Sequence, residues 1–186
     1  MLICQLTNQA VKAMYDLITI AISQLNVPLV TAIAKIIDDD LFFIVIILFL
    51  AFIAERGRRR NRLVLTLLLV FLLGTTVKGL VHEARPCAEL ISKIPCPPSF
   101  SFPSNHALMA FALVAALWKN KPNRWLYALY VAIAIFVGFT RIYLGVHTAA
   151  DVVGGALLGI LFVLVIDLCW QKIPKSLRKS VSDFLK

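Results

Sequence analysis

Long stretches of this chain carry no acidic or basic side chain, and this pattern restricts its fold more than any other feature. Most of the Lys and Arg residues lie in three clusters, at 55–62, at 119–124 and after Trp170. Hydrophobic residues occupy 60% of the 186 positions and charged residues only 16%, whereas soluble domains are about 45–50% apolar. Because a membrane-spanning helix needs about 20 apolar residues, the pattern predicts a polytopic helical membrane protein.

Five apolar segments are predicted to cross the membrane, and with the less regular N-terminus they form an all-α bundle of about five or six transmembrane helices. The basic clusters then fall on one side, which the excess of Lys and Arg in cytoplasmic loops identifies as cytoplasmic. Trp118, Trp125 and Trp170 lie at the same ends, as expected for aromatic anchors in the interface. The predicted spans are 40–54, 63–82, 104–118, 125–142 and 147–170.

Residues 1–38 are apolar but interrupted by polar side chains and by Pro28. Two interpretations stay open, a single broken span or two amphipathic helices in the interface, and we slightly favour the second. One membrane domain over 1–186 is predicted, made of this segment, a helix bundle at 40–170 and a basic cytoplasmic tail at 171–186. The cytoplasmic clusters explain the net charge of +9, so no nucleic-acid partner is expected.

Two cysteines, Cys87 and Cys96, share one short polar loop on the side opposite the basic clusters. In an oxidising compartment they could form a disulfide that closes the loop, whereas in a reducing compartment they would stay free thiols. The sequence leaves both alternatives open.

The unusual polar residues collect at the ends of the spans opposite the basic clusters. Ionisable groups at such positions are costly to bury in a membrane, so a functional site is the default interpretation. They come from three separate stretches that share one face of the membrane: Lys78, His82, Glu83, Arg85, Ser104, Asn105, His106, Arg141, His147 and Asp151.

The first two stretches have the features of an anion site. Lys78 and Arg85 are seven residues apart, so both side chains can point the same way on a helix. Ser104 precedes an apolar run and is predicted to cap a helix whose free N–H groups favour a phosphate. His106 would lie in the first turn of that helix. Taken singly, these residues also fit a snorkelling lysine and an ordinary helix cap.

The third stretch, TRIYLGVHTAAD, combines a cation, an imidazole and a carboxylate. His147 and Asp151 are four residues apart, within hydrogen-bonding reach on one helix face. The carboxylate can keep one ring nitrogen protonated and leave the other free as a nucleophile. Arg141 adds a planar fork for phosphate oxygens. Together these groups favour phosphoryl transfer through a covalent intermediate over a metal site, because the cations would repel a metal ion.

In order and spacing, these residues resemble the motifs of the membrane-bound type 2 phosphatidic acid phosphatase (PAP2) superfamily, which is related to vanadium haloperoxidases. The family carries K-x6-R-P, P-S-G-H and S-R-x5-H-x3-D. Two positions depart from this pattern, since Asn105 stands in place of Gly and Thr140 in place of Ser. Neither change removes a catalytic group. The motifs occur here as Lys78 to Arg85-Pro86, Pro103 to His106, and Thr140-Arg141 to His147 and Asp151.

The resemblance implies an active, metal-independent enzyme without a cofactor. His147 would be the nucleophile that forms a phosphohistidine, Asp151 would orient it, and His106 would protonate the leaving group and then activate water. Glu83 and His82 fall outside the motifs and are kept as candidates that support the site. The residues expected to bind the phosphate are Lys78, Arg85, Ser104, Asn105 and Arg141.

The depth of the site points to a lipid substrate. A helix over 104–118 is about 22 Å long at 1.5 Å per residue, shorter than a bilayer core of about 30 Å, so His106 would lie below the membrane surface. A lipid phosphate could reach it sideways. Because the chain resembles the compact microbial members of the family, the first choice is an isoprenyl diphosphate such as undecaprenyl or dolichyl diphosphate. Phosphatidylglycerophosphate, phosphatidic acid and a lipid A phosphate follow.

The expected setting is the plasma membrane, with the active site on the non-cytoplasmic face and the bilayer and its lipid phosphate as partners. A small-residue stripe of Gly154, Gly155 and Gly159 predicts close packing against the helix that carries His106 or Lys78, or alternatively a dimer. The oligomeric state stays open. A non-enzymatic lipid-phosphate transporter is the alternative of another class, but transport needs no nucleophile.

Overall fold

A computed structural model of the chain describes residues 17–88, 92–118 and 123–174, and within these ranges all regular structure is helical. The all-α architecture that the sequence predicts is therefore confirmed for the described residues. A 3₁₀ turn at Pro86–Ala88 lies in the loop that follows the fourth helix. The helices are α1 (Leu17–Gln24), α2 (Pro28–Asp38), α3 (Asp40–Ala54), α4 (Arg58–Val81), α5 (Asn105–Trp118), α6 (Arg124–Tyr143) and α7 (Ala149–Lys172).

Three of the described helices, α4, α6 and α7, are long and apolar enough to cross a membrane. Helices α1 and α2 together would make a fourth span, but they are bent by 111° at the break between them. Helices α3 and α5 are apolar and shorter, with 15 and 14 residues. The membrane-spanning character is clear from these lengths, whereas a total of five or six crossings stays a prediction.

Two helices, α4 and α7, begin more than one residue away from the predicted positions. Helix α4 begins at Arg58, so four arginines predicted to lie in a loop form its first turns. Arginine is a good helix former whose long side chain reaches water from a helix end. Helix α7 begins at Ala149, because the Thr148 hydroxyl accepts from the Asp151 amide while the Asp151 carboxylate accepts from the Thr148 amide. This capping box leaves His147 in the preceding loop, not on the helix as predicted.

The bent α1–α2 pair is attached to the end of α6 through two side chains. The hydroxyl of Tyr143 lies 2.7 Å from the hydroxyl of Thr31 and accepts from the amide of Val27 at 2.9 Å. Lys93 donates from Nζ to the carbonyls of Tyr143 and Ser23, and so joins the α4–α5 loop to the same place. These contacts hold the bent pair against α6 and the α4–α5 loop. Residues 1–16, the rest of the N-terminal segment, lie outside the described part.

Helix α5 is the centre of the bundle and packs against α4, α6 and α7. Two glycines of α7 allow the closest approach: a Cβ at Gly155 would lie 2.6 Å from the Ser104 carbonyl oxygen, and a Cβ at Gly159 would overlap that of Leu108. Gly154 instead faces the ring of Phe102. The stripe therefore packs against the helix that carries His106, one of the two neighbours that the sequence predicts.

Replacing Gly159 by alanine is expected to lower the thermal unfolding temperature of the protein. The added methyl group forces α5 and α7 apart, because it meets backbone atoms that cannot rotate away. Overpacking of this kind costs about 1–3 kcal/mol. Gly79→Ala is the matched control, since a Cβ there meets nothing within 4 Å. Equal unfolding temperatures for the two variants would contradict the close α5–α7 contact.

Candidate active site

The starts of α5 and α7 meet at one end of the bundle, and the α4–α5 loop lies beside them. The amide of Ser104 donates to the carbonyl of Asp151 at 3.1 Å, which joins the two helix starts directly. The amide of Ser101 donates to the carbonyl of Glu83 at 2.8 Å. The fold thus brings together chain segments that carry all three motifs.

The carboxylate of Asp151 is fully buried and fixed by its neighbours. Its Oδ2 lies 3.4 Å from Nδ1 of His147 and accepts from the amide of Thr148 at 2.7 Å. The hydroxyl of Ser101 donates to the same oxygen at 2.5 Å. Although His147 precedes the helix, the predicted pairing with Asp151 is present. The capping box holds the carboxylate in place before any substrate binds.

Arg85 contacts the other nitrogen of the same ring. Its NH1 lies 3.1 Å from Nε2 of His147 and donates to the carbonyl of Val146 at 3.0 Å. The other two guanidinium nitrogens bond Ser99: Nε donates to its carbonyl at 2.7 Å and NH2 donates to its hydroxyl at 2.9 Å. Because a guanidinium can only donate, Nε2 must accept, which assigns the proton of the neutral ring to Nδ1 beside Asp151.

Burial also keeps the His147 ring neutral. It lies in the loop between α6 and α7, where desolvation is the main cause that lowers its pKa to about 4, and the charge of Arg85 adds to this effect. The hydrogen bond and the charge of Asp151 act in the opposite direction and are outweighed. A neutral imidazole with an unprotonated Nε2 is the form that can attack an electrophile.

Lys78 reaches the site from the last turn of α4. It is 9% exposed, and its Nζ donates to the carbonyl of Phe100 at 2.9 Å and lies 3.5 Å from that of Ser101. The ammonium therefore lies beside the loop segment whose hydroxyl bonds Asp151, at the same end of the bundle as Arg85.

Ser104 and Asn105 begin α5, but Ser104 does not cap it as predicted. Among the described residues, the buried Ser104 Oγ has no hydrogen-bond partner, and neither has Asn105 Oδ1. The amide of Leu108 bonds the Ser104 carbonyl at 2.9 Å, so the backbone alone begins the helix. A buried hydroxyl beside a helix start is a donor suited to an anion, because the adjacent helix N–H groups favour negative charge.

His106 lies in the first turn of α5 and is buried against the N-terminal helices. Its Nε2 donates to the carbonyl of Ile37 at 3.0 Å, since a carbonyl can only accept. Its Nδ1 lies 3.9 Å from Oδ1 of Asp40, and its ring centroid lies 4.2 Å from that of Phe43. Nδ1 is therefore the nitrogen that can exchange a proton.

Arg141, near the end of α6, forms an ion pair that the sequence does not predict. Its NH1 donates to Oδ1 of Asp38 at 2.8 Å, and its guanidinium also contacts Thr140 and the carbonyl of Ala34. Neither Asp38 nor Ser101 is predicted from the sequence to belong to the site. Only the run of three aspartates at 38–40, on the same side as the motifs, could have drawn attention to Asp38. Ser101 has no comparable signal.

The two candidates outside the motifs differ in their surroundings. The exposed ring of His82 packs on Phe100, and its Nδ1 lies 3.2 Å from the Leu80 carbonyl. Glu83 contributes its backbone carbonyl to Ser101. A disulfide joins Cys87 and Cys96 in the α4–α5 loop. Within the described ranges, no group of three or more His, Cys, Asp or Glu residues is arranged to hold a metal ion.

Comparisons with known proteins all indicate the same family. A protein-family model described as the PAP2 superfamily matches residues 60–175, which include all three motifs. Phosphatidylglycerophosphatase B of Bacillus subtilis is 35% identical over 129 residues, 62% of this chain and 62% of that protein. An undecaprenyl-diphosphatase of Sulfolobus acidocaldarius is 32% identical over 114 residues, 59% of this chain and 55% of that protein.

A solved structure resembles the fold over most of its length. The crystal structure of a transmembrane PAP2-type phosphatidylglycerolphosphate phosphatase from Bacillus subtilis has a TM-score of 0.67 and 27% identity, and the match covers 89% of each chain. The sequence match, in contrast, spans less than two thirds of the length of the two relatives, 62% and 55%.

Proposed function

This chain belongs to the PAP2 superfamily, and from that premise we propose that it is an integral membrane lipid phosphatase that works through a phosphohistidine. The reaction removes a phosphate from a lipid phosphate or diphosphate. His147 is the nucleophile, Asp151 orients it, and His106 is the acid and base.

One observation carries the proposal: the His147 ring lies between a cation and a carboxylate. Arg85 lies 3.1 Å from Nε2 and Asp151 lies 3.4 Å from Nδ1. Asp151 stabilises the positive charge that the ring acquires when Nε2 bonds to phosphorus. A purely structural histidine would not need a buried carboxylate on one side and a phosphate-binding cation on the other.

In the first step, the Nε2 lone pair of His147 forms a bond to phosphorus and the bond to the leaving oxygen breaks. Arg85, which occupies that lone pair in the free enzyme, must first shift its NH1 to a phosphate oxygen. His106 donates a proton to the leaving oxygen. The products of this step are phosphohistidine 147 and the free lipid alcohol or lipid monophosphate.

In the second step, water attacks the phosphorus of the phosphohistidine. His106, now neutral, takes a proton from this water through Nδ1, and the bond between phosphorus and Nε2 breaks. Inorganic phosphate leaves, and both histidines return to their initial protonation states. The same residue therefore serves as acid in one step and as base in the other.

The charge of the phosphoryl group is balanced by protein cations. Lys78, Arg85 and Arg141 supply three positive charges, and the Ser104 hydroxyl and the Asn105 amide add neutral donors at the start of α5. We propose that these groups do the electrostatic work that a divalent metal does in other phosphoryl-transfer enzymes, so that the reaction proceeds without one.

The substrate is proposed to be a lipid that reaches the site from the bilayer. Helix α5, with 14 residues, is about 21 Å long at 1.5 Å per residue, against a bilayer core of about 30 Å. His106 would then lie below the membrane surface, within reach of a head group that moves sideways. We propose the plasma membrane as its location. The basic start of α4 favours a cytoplasmic position for that end of the helix, which places the site on the non-cytoplasmic face.

An isoprenyl diphosphate is the first substrate to test, supported by the undecaprenyl-diphosphatase among the relatives. Phosphatidylglycerophosphate, supported by the Bacillus subtilis relative, comes next, followed by phosphatidic acid and a lipid A phosphate. The purified chain would be assayed for phosphate release from each lipid in the presence of a chelator, with a water-soluble sugar phosphate as the control. The lipid with the highest kcat/KM identifies the substrate class.

The assay also decides between function classes. Release of phosphate from at least one lipid, unaffected by chelator, is the expected result. Activity that disappears with chelator and returns with a divalent metal would contradict the metal-independent mechanism. Movement of the intact lipid across vesicles without hydrolysis would instead identify a transporter.

A further inference from the structure

The junction of α2 and α3 contacts two residues of the proposed site from far away in the sequence. The Ile37 carbonyl bonds His106 across 69 positions, and the Asp38 carboxylate bonds Arg141 across 103 positions. Neither Ile37 nor Asp38 belongs to the three motifs. The N-terminal helices are thus a wall of the site.

Arg141 is 1% exposed, and the structure accounts for most of its hydrogen-bonding groups. Nε and NH2 lie 3.3 Å from the Thr140 hydroxyl, and NH2 lies 3.3 Å from the Ala34 carbonyl. NH1 donates to Asp38 at 2.8 Å. A guanidinium has five N–H groups. Within the described part of the chain, the one that stays available is the second hydrogen of NH1.

We propose that Asp38 is a positioning residue: it holds the Arg141 guanidinium so that the second NH1 hydrogen is directed at the substrate phosphate. This inference rests on the proposed function, because it assigns Arg141 to phosphate binding. The two hydrogens of NH1 share one plane at a fixed angle, so anchoring the first on a carboxylate sets the direction of the second.

The anchor itself is held in place. Helix α2 is fixed to the end of α6 through the hydrogen bond between Thr31 and Tyr143. Asp38 is the last residue of α2, and only 27% of its side chain is exposed. A buried arginine aimed by a rigid partner needs little rearrangement when the phosphate binds, which favours catalysis.

The test compares Asp38→Asn with Asp39→Asn in the purified full chain. Both variants remove one negative charge at neighbouring positions. Asp39 caps α3 by accepting from the amide of Phe42 at 2.7 Å, and asparagine caps a helix equally well. Orthovanadate serves as the probe, because it mimics phosphate and its binding does not require turnover.

The dissociation constant for orthovanadate is expected to rise about tenfold in Asp38→Asn, because the ion pair that holds Arg141 is replaced by a weaker hydrogen bond to a neutral amide oxygen. In Asp39→Asn it should change less than twofold. For the preferred lipid, Asp38→Asn should show a similar loss of kcat/KM, expressed mainly in KM. If Asp38→Asn does not fold, Asp38→Glu keeps the charge but moves it, and should weaken vanadate binding about threefold.

Other results would contradict the role of Asp38, the proposed function or both. If both Asn variants changed vanadate binding equally, the effect would come from the loss of one negative charge and not from the contact with Arg141, which would overturn the inference. Unchanged binding by Asp38→Glu would overturn it as well. Tighter binding in Asp38→Asn would show that Asp38 competes with phosphate, which also overturns it. A wild type that binds vanadate but hydrolyses no lipid phosphate would refute the proposed function, while the binding difference would still decide the role of Asp38. A wild type that binds no vanadate would refute both.

Discussion

Replacing His147 by alanine is expected to lower kcat by about 10³-fold or more, because the residue supplies the nitrogen that forms the bond to phosphorus. Phosphate release from the preferred lipid, measured with chelator present, is the direct readout. The rate of this variant should not recover at higher pH, because deprotonation cannot restore a missing nucleophile. In the wild-type protein, burial and the adjacent Arg85 lower the pKa of His147 to about 4, so the ring is already neutral and reactive at neutral pH.

His82→Ala is the matched control for this variant. It removes an imidazole at the same end of the bundle, but one that is exposed and contacts Leu80 and Phe100. Its kcat should stay within about twofold of the wild-type value, as is usual for a surface substitution. Substantial activity in His147→Ala would refute the phosphohistidine mechanism. A large loss in His82→Ala would show that the loop itself had been disturbed.

Replacing His106 by alanine is expected to lower kcat for a lipid phosphate by about 10²–10⁴-fold, the range typical of general acid–base catalysis. The loss should affect the two steps differently. With an activated aryl phosphate such as 4-nitrophenyl phosphate, the leaving oxygen departs as a stable phenolate and needs no proton, so the first step should become nearly independent of His106. The second step still needs a base to activate water, so the phosphoenzyme should accumulate.

Rapid-mixing kinetics can observe this difference. His106→Ala should release the phenolate in a burst of about one equivalent per enzyme molecule and then turn over slowly, while His147→Ala should show no burst. The phosphoenzyme should be labile in acid, as phosphohistidine is. An equal loss with lipid and aryl substrates, without a burst, would assign His106 to binding and not to proton transfer.

The spacing of the motif residues was sufficient to predict a contact that the structure contains. His147 and Asp151 lie 3.4 Å apart even though the helix begins two residues later than expected. A separation of four residues permits this contact because the capping box turns the chain tightly at Thr148. The roles of these residues stay predictions until the variants are measured.

Other features of the site follow no local pattern. Ser101 donates to Asp151 across 50 positions, and the sequence around it gives no sign of this contact. Asp38 pairs with Arg141 across 103 positions. The predicted cap at Ser104 was wrong, since the hydroxyl makes no cap bond and the backbone begins the helix alone. In each case packing decided which partner a polar side chain meets.

By itself, the sequence determined that this protein is a helical membrane protein and which residue types it brings to one end of its helices. The length of the apolar stretches and the placement of basic clusters are properties of the local chain, and water and lipid act on them directly. The tertiary structure alone decided that the N-terminal helices form a wall of the site and that Asp38 lies against Arg141. Such contacts depend on how closely α5 approaches α7 and where α2 is anchored, and packing of distant segments sets both.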